Sequence, residues 1–265
     1  MKLFYRKIGD ESSNMEEVPA IIILHGLFGS SDNWLTISKS FAPEHLVYLL
    51  DQRNHGQSPH SDSFTYKDMS DDLFEFMEDE KIDNAIIIGH SMGGKTAMRF
   101  AVEHPEKVCK LIVVDIAPKY YPIHHQEILD ALLSINPESF TSRNDIENFL
   151  TDKITDVPTR QFLLKNIYWR EDKKLDWRMN LKTINKEIEN VGEALIENKT
   201  YLNPALFLKG ENSNYILEKD FVDIHRLFSP SIINIIPNVG HWIQVEDPDA
   251  FTECVKAFLK KPELV

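Results

Sequence analysis

Residues 85–95 read Ala-Ile-Ile-Ile-Gly-His-Ser-Met-Gly-Gly-Lys, and this stretch decides the fold class. An apolar run of strand length enters a Gly-x-Ser-x-Gly pattern, and a helical pattern follows. A serine in a sharp strand-to-helix turn needs small neighbours on both sides, because larger side chains would collide. Such a turn exposes the hydroxyl and directs the first N–H groups of the helix toward a reacting carbonyl. Ser91 is therefore the candidate nucleophile.

The same stretch also satisfies a second pattern. Gly89–Thr96 matches the phosphate-binding loop Gly-x4-Gly-Lys-Thr, with Lys95 as its lysine. Residues 111–115 would supply a hydrophobic strand that ends in a metal-binding aspartate. Both interpretations require a strand before the loop and a helix after it, so the local context does not separate them. A nucleotide-binding protein therefore stays open as the alternative function at this point.

Short apolar runs alternate with longer amphipathic segments outward from this stretch, which is typical of a parallel sheet covered by helices on both faces. The predicted strands are Ala20–Leu24, Leu46–Leu50, Ala85–Ile88, Leu111–Val114, Ala205–Leu208 and Ile232–Ile236, with Leu3–Ile8 as an edge strand. The predicted helices between them include Phe64–Glu80, Gly94–Glu103 and Ala250–Lys260. The fold class is therefore α/β, with a mostly parallel, doubly wound sheet.

The alternation breaks between Tyr120 and Tyr201, where no strand is predicted. The segments in this region are helical, and they are His125–Ser134, Asp145–Asp152, Thr159–Tyr168 and Ile184–Glu197. A tandem domain would need a core of its own, and the apolar content is thin for that. We therefore expect a helical cap, residues 120–201, inserted into one discontinuous domain of residues 1–119 and 202–265.

A second strand of the pattern runs into a His-Gly turn. Residues 21–29 read Ile-Ile-Ile-Leu-His-Gly-Leu-Phe-Gly, and this turn can present the N–H of Leu27 opposite that of Met92. Two such donors stabilise the oxyanion of a tetrahedral intermediate, and losing one typically costs about 10²–10³ in rate. Leu27 and Met92 are thus the predicted oxyanion hole, while His25 itself is expected to be structural.

The last predicted strand leads to Gly240 and His241. A histidine just after this strand, where glycine permits a tight turn, is well placed as the general base for Ser91. A phosphate-binding loop has no need of such a residue. The sequence therefore favours a serine hydrolase over a nucleotide-binding protein.

The ordered combination of these motifs resembles the α/β-hydrolase superfamily over nearly the whole chain and, more narrowly, the small bacterial esterases of the YbfF type. The matching stretches are His25–Ser30, Arg53–Gly56, Gly89–Lys95, Asp115–Pro118 and Gly240–His241. The resemblance implies an ester or thioester hydrolase with a helical cap, and we expect no cofactor. A protein of this fold that senses a ligand with little turnover is a further alternative.

The acid of a catalytic triad has two candidate positions. The order in this fold is Ser, acid, His, and the acid in many members follows the penultimate strand, where this chain has Glu211 but no aspartate. Asp115, directly after the strand that follows the nucleophile helix, is the other candidate, and the YbfF-type resemblance points to it. We favour Asp115 and keep Glu211 as the alternative. Ser213 or Asn212 is then expected to donate a hydrogen bond to the Asp115–His241 pair.

Other polar residues are assigned structural roles. Asp51 and Arg53 are expected to fix their loop by an ion pair, and Lys95 is expected to pack on its helix or lie at the surface. His124 and His125 lack a third ligand at plausible spacing, so no metal site is predicted.

The overall composition limits the partners. A net charge of -13 disfavours nucleic acid and anionic membrane surfaces. No apolar run is long enough to span a bilayer, and the first residues lack the pattern of a signal peptide. The two cysteines carry no metal-binding or redox spacing. We therefore expect a cytosolic enzyme that acts on a small-molecule acyl ester or thioester.

Overall fold

A seven-stranded sheet forms the centre of the computed structural model, which describes residues 1–10, 18–195 and 199–260. The strands of this sheet are β1 (Tyr5–Ile8), β2 (Ala20–Leu24), β3 (Val47–Leu50), β4 (Ala85–His90), β5 (Val108–Val114), β8 (Ala205–Gly210) and β9 (Ser231–Ile236). Two further strands, β6 (Ile167–Trp169) and β7 (Leu175–Trp177), form a separate two-stranded sheet. The order across the large sheet is β1-β3-β2-β4-β5-β8-β9. Only β1 runs antiparallel to its neighbour in this sheet, so the predicted mostly parallel sheet and the predicted edge strand are confirmed.

Helices cover both faces of this sheet. The described residues form α1 (Leu35–Ser38), α2 (Tyr66–Asp79), α3 (Met92–Glu103), α4 (Gln126–Leu133), α5 (Arg143–Leu150), α6 (Val157–Leu164), α7 (Leu181–Lys186), α8 (Ile188–Gly192), α9 (Phe221–Leu227), α10 (Ile243–Glu246) and α11 (Pro248–Leu259). Ile22 of β2 packs with the α3 side of the core, and its neighbour Ile23 packs with the α11 side. Successive residues of a strand point to opposite faces, so apolar runs without alternation require cover on both sides.

The carboxyl ends of the parallel strands bring the predicted site residues to one edge. Ser91 follows β4, Asp115 follows β5, Ser213 follows β8 and His241 follows β9. Because neighbouring parallel strands end at the same side of a sheet, loops that are far apart in sequence meet there. The sheet order places β4, β5, β8 and β9 side by side.

The segment between β5 and β8 is mainly helical, with α4 to α8, but the prediction that it contains no strand is wrong. β6 pairs antiparallel with β7 as a short hairpin, and Lys173 in its turn has a φ of 62°. Three-residue strands are too short to show a period of two, which is why the sequence pattern missed them. The predicted helix Thr159–Tyr168 accordingly ends at Leu164, as part of α6.

The last predicted helix of this segment, Ile184–Glu197, is also different in the structure. It is two short helices, α7 and α8, that meet at Glu187. Residues 196 and 197 of that prediction lie outside the described residues. The apolar side chains of the segment form one buried cluster with Leu27, Phe28 and Met92, which lie next to Ser91. The segment therefore packs directly on the loops at the carboxyl edge of the sheet.

The predicted ion pair between Asp51 and Arg53 is wrong. Both carboxylate oxygens of Asp51 accept backbone N–H groups, at 2.6 Å from Ser31 and 2.8 Å from Gln57. Arg53 instead pairs with Asp72 of α2 through two bonds of 2.6 and 2.9 Å, and both side chains are buried. The arginine thus ties the loop after β3 to a helix, while the aspartate orders the loop itself.

Replacement of Arg53 by methionine tests this buried ion pair. Asp72 would lose its guanidinium partner and keep the N-terminal ammonium of Met1, which lies 2.7 Å from its Oδ1. Removing one partner of a buried pair typically costs about 3–5 kcal/mol, and the remaining ammonium places the expected loss toward the lower end of that range. We expect the Arg53→Met variant to lose stability of this order in urea denaturation. Arg226→Met is the matched control, because Arg226 pairs with Asp223 at the surface and such pairs contribute little. Equal losses in the two variants would contradict the assignment.

Candidate active site

Ser91 occupies a strained turn between β4 and α3. Its φ of 52° and ψ of -118° are unusual for a residue with a side chain. Its N–H donates to the Val114 carbonyl at 3.0 Å, which holds the turn on β5. A Cβ atom at Gly89 would overlap the Gly93 carbonyl, and one at Gly93 would overlap the Leu24 carbonyl. The two glycines of the motif are thus needed because the backbone passes too closely for any side chain.

Asp115 and His241 form a hydrogen-bonded pair at the same edge. His241 Nδ1 lies 2.8 Å from Asp115 Oδ2, and the Asp115 side chain is fully buried. The Gly210 N–H donates to Asp115 Oδ1 at 3.0 Å, and the Ser213 hydroxyl donates to Oδ2. A buried carboxylate requires such donors, because burial of an unpaired charge is very costly. These contacts orient the His241 ring so that Nδ1 faces the carboxylate. The other ring nitrogen, Nε2, remains for a different partner.

Glu211, the alternative acid, lies in a different place. Its carboxylate accepts the N–H of Asn238 at 2.8 Å and so supports the turn before His241. The structure therefore brings Asp115 to the histidine and leaves Glu211 in a supporting contact. Ser91 and His241 both line one cavity of about 510 Å³. This volume lies within the range of roughly 300–1,000 Å³ that is typical of small-molecule sites.

The two predicted oxyanion donors, Leu27 and Met92, each line a cavity that Ser91 also lines. Met92 is the first residue of α3, where an N–H has no acceptor within the helix. Leu27 lies in a tight turn closed by a 2.9 Å bond from the Gly29 N–H to the Gly26 carbonyl. Among the residues that the structure describes, the N–H groups of Leu27 and Met92 have no acceptor. Both are thus available to a ligand.

Neutral buried histidines hold the loops around this turn. Burial lowers the pKa of His25 to about 4 and the pKa of His55 to about 3. His25 Nε2 accepts the Gln52 N–H at 3.0 Å, and His55 Nε2 accepts the Phe28 N–H at 3.1 Å. Each ring then donates from Nδ1 to a backbone carbonyl. His25 therefore has structural contacts, and together the rings join the loops after β2 and β3.

Lys95 is buried and is directed away from the Ser91 turn. Its ammonium donates to the carbonyls of Lys119, Gly192 and Glu193 and lies 4.8 Å from the centre of the Tyr121 ring. Burial lowers the pKa of Lys95 to about 7. A phosphate-binding loop needs its lysine free for the phosphates. The contacts of Lys95 therefore disfavour the nucleotide-binding alternative.

Tyr215 is a site residue that the sequence reasoning missed. Its ring stacks on His241 with centroids 3.8 Å apart and an interplanar angle of 15°. Its hydroxyl lies 2.6 Å from His124 Nε2, and its N–H donates to the Ser213 hydroxyl at 3.2 Å. Burial raises the pKa of Tyr215 to about 12, so the phenol stays protonated. No motif marks this tyrosine, and only the folded loop after β8 brings it to the histidine.

The sequence predicts neither a metal site at His124 and His125 nor a membrane-spanning segment. The rings of His124 and His125 have centroids 4.0 Å apart and are tilted by 38°, but no group of three side chains suited to bind a metal ion occurs in residues 1–10, 18–195 and 199–260. Within the same residues, none of the helices is both long and apolar enough to cross a membrane.

The sequence matches the alpha/beta hydrolase fold family over residues 19–248. The chain belongs to the α/β-hydrolase family. It is 31% identical to esterase YbfF of Escherichia coli strain K12, over 98% of this chain and 99% of that protein. It is 35% identical to an sn-1-specific diacylglycerol lipase of Mus musculus, over 91% of this chain and 81% of that protein.

A solved structure agrees with these relatives. An esterase described as from a marine microorganism matches with a TM-score of 0.92 and 43% identity, over 97% of this chain and 99% of that one. The predicted fold class and the resemblance to YbfF-type esterases are confirmed. This α/β-hydrolase is therefore an enzyme of the hydrolase class.

The stacking contact of Tyr215 is tested by two substitutions. We expect Tyr215→Ala to lower kcat by about 10–100-fold, since small misplacements of a catalytic group have effects of this size. Tyr215→Phe keeps the ring and should retain most of kcat. Steady-state kinetics on a p-nitrophenyl ester give kcat and KM separately. Equal losses of kcat in the two variants would show that the hydroxyl, and not the stacked ring, matters.

The buried histidines predict how stability depends on pH. The unfolded chain protonates His55 near its ordinary pKa of 6.5, whereas the folded protein resists protonation down to a pKa of about 3. The unfolded state therefore binds more protons between these values, so the free energy of unfolding falls as pH drops below about 6.5. In His55→Gln this dependence should weaken by up to about 1.4 kcal/mol per pH unit. Urea denaturation between pH 5 and pH 7 measures both slopes, and identical slopes would contradict the prediction.

Proposed function

We propose that this α/β-hydrolase cleaves carboxylic ester or acyl thioester bonds through an acyl intermediate on Ser91. One observation carries the proposal. His241, which is hydrogen-bonded to the buried carboxylate of Asp115, lines the same cavity as a serine held in a strained strand-to-helix turn. An imidazole oriented by a buried carboxylate beside such a serine is the arrangement that activates a hydroxyl nucleophile.

The first half of the reaction transfers the acyl group. His241 Nε2 takes the proton of the Ser91 hydroxyl as the oxygen attacks the carbonyl carbon. The charge that develops on the carbonyl oxygen is stabilised by the N–H groups of Leu27 and Met92. The bond to the leaving group then breaks, and His241 gives its proton to the departing alcohol or thiol.

The second half releases the acid. Water loses a proton to His241 and attacks the acyl-serine, and the same two N–H groups stabilise the second oxyanion. When this intermediate collapses, His241 returns the proton to Ser91. Asp115 stabilises the imidazolium in both halves and stays ionised. Ser213 supports it by donating to the oxygen that faces His241.

The segment over the site has a role in this proposal. Residues 120–201 act as a cap on a core formed by residues 1–119 and 202–265, because their apolar cluster includes Leu27 and Met92. A cap that packs on the oxyanion loop separates the reacting carbonyl from bulk solvent. The relatives named as an esterase and a diacylglycerol lipase support an ester as the bond cleaved. The cytosolic location stays a prediction from the sequence.

Fluorophosphonate labelling tests the activated serine. We expect the wild type to be labelled once and to hydrolyse p-nitrophenyl esters over many turnovers. Ser91→Ala and His241→Ala should lose labelling, and turnover should fall by about 10⁴–10⁶ because the members of a triad act as a unit. Asp115→Asn should reduce turnover by about 10⁴.

Glu211→Gln is the matched control for the choice of acid. A glutamine oxygen can still accept the Asn238 N–H, so near-normal turnover is expected. A large loss in Glu211→Gln with little loss in Asp115→Asn would reverse the assignment. Labelling without repeated turnover on any ester would favour a ligand sensor, and absence of labelling in the wild type would refute the activated serine.

A further inference from the structure

Ser91 lies between two cavities of very different size. The large one has a volume of about 510 Å³ and the small one about 30 Å³. Four residues line both cavities, namely Ser91, His124, His125 and Tyr215. His241 lines only the large cavity. An ester bound at the serine has two halves, so the two cavities offer each half a separate place.

The position of His241 decides which half occupies which cavity. The leaving oxygen or sulfur must receive its proton from His241, so it has to lie within hydrogen-bond reach of the ring. The group attached to that atom therefore extends into the large cavity, which His241 lines. The acyl chain is bonded to the opposite side of the carbonyl carbon and extends into the small pocket.

The small pocket admits only a short chain. One water-sized group needs roughly 10–15 Å³ of such space, so a pocket of about 30 Å³ accepts about two non-hydrogen atoms beyond the carbonyl. Ile116 and Ile188 line it and are almost fully buried. An acetyl or propionyl group fits this space, whereas a longer chain exceeds the volume beside Ile116 and Ile188.

Hydrogen bonds hold the wall of the small pocket in place. The Tyr66 hydroxyl donates to the Val191 carbonyl at 2.7 Å, and the Tyr121 N–H donates to the Gly192 carbonyl at 2.8 Å. Lys95 donates to that same Gly192 carbonyl at 3.2 Å. These bonds tie α8 to the loop after β5 and to α3, which carries Ser91 at its start. Displacement of the wall would break several of them at once.

The large cavity suits a bulky and mostly apolar leaving group. Its walls include Trp34, Ile128, Phe162 and Trp242. Phe162 of α6 and Trp242, next to the histidine, have ring centroids 5.8 Å apart and form a continuous aromatic part of the wall. Aromatic walls of this kind bind large apolar groups through the area that they bury.

We propose that this enzyme is selective for esters or thioesters of short acyl groups, acetyl or propionyl, whose alcohol or thiol is large and mostly apolar. The small pocket selects the acyl group and the large cavity selects the leaving group. This inference rests on the proposed hydrolysis at Ser91 and adds the substrate class to it.

Two ester series test the wild-type enzyme. In the first, p-nitrophenol is kept and the acyl group runs from acetyl through butyryl to octanoyl. We expect kcat/KM to fall by about 10-fold or more along the series, since one misfitting methylene is worth about that factor. In the second, acetate is kept and ethyl acetate is compared with 2-phenylethyl acetate, two alkyl esters with unactivated leaving groups. The bulky ester should have the higher kcat/KM.

Two substitutions separate the cavities. Ile188→Ala widens the small pocket and should raise the ratio of octanoyl to acetyl turnover by about 10-fold, which corresponds to the space of at least one methylene. Phe162→Ala is the matched control in the large cavity. It should reduce the preference for 2-phenylethyl acetate and leave the acyl profile unchanged. Each readout is a ratio within one variant, so partial loss of folded enzyme cancels.

The outcomes distinguish this inference from the proposed function. A wild type that prefers octanoyl to acetyl esters, or an acyl profile that shifts in Phe162→Ala and not in Ile188→Ala, would overturn the assignment of cavities while ester hydrolysis at Ser91 stands. A wild type that neither reacts with a fluorophosphonate nor cleaves any ester would overturn both.

Discussion

The buried carboxylate of Asp115 is the interaction on which the site depends. A charge without any solvent exposure has to be met by donors, and here they come from Gly210, Ser213 and His241. Gly210 ends β8, Ser213 follows that strand and His241 follows β9, whereas Asp115 follows β5. The need to satisfy one carboxylate therefore draws three loops together and sets the orientation of the imidazole that faces the cavity of Ser91.

The loop after β8 supports the Asp115–His241 pair. Its first seven residues, 211–217, carry no aspartate, and their one carboxylate, Glu211, supports the turn at Asn238. Ser213 and Tyr215 of this loop contact the Asp115–His241 pair from two directions, one by a hydrogen bond to the carboxylate and one by stacking on the ring. The loop therefore holds both the carboxylate and the imidazole in place, although no carboxylate of residues 211–217 contacts His241.

The segment between β5 and β8 is joined to α3, the helix that follows Ser91, by more than apolar packing. Lys95, on α3 one turn after Ser91, donates to carbonyls at the end of α8 and just beyond it. These hydrogen bonds link α3 strongly to the end of α8, because a buried Lys95 side chain that lost the carbonyls would find no water to accept its N–H groups. The same contacts form part of the wall beside Ser91. Packing of this segment and the shape of the small pocket are therefore one structural feature.

The amino-acid sequence by itself determined the strands of the sheet, the turn at Ser91 and the place of His241 after the last strand. These features are local, because apolar runs of strand length and closely spaced glycines have direct steric consequences. The short β6–β7 hairpin was missed, because three residues carry no readable period. The partner of Arg53 was misassigned, because Asp72 is separated from it by a loop and part of a helix.

Only the tertiary structure decided the partners of each charge and the shape of the space around Ser91. Glu211 follows β8, the direct neighbour of the last strand, whereas Asp115 follows β5, so the strand order alone does not select the partner of His241. The folded loops place the carboxylate of Asp115 against the histidine and direct that of Glu211 to the Asn238 N–H. Tyr215 carries no motif, and its stacking exists only once the loop after β8 is folded. The physical reason is the same in each case. Local steric effects depend on residues that are neighbours in the sequence, whereas these contacts and cavities are formed by residues far apart in the chain.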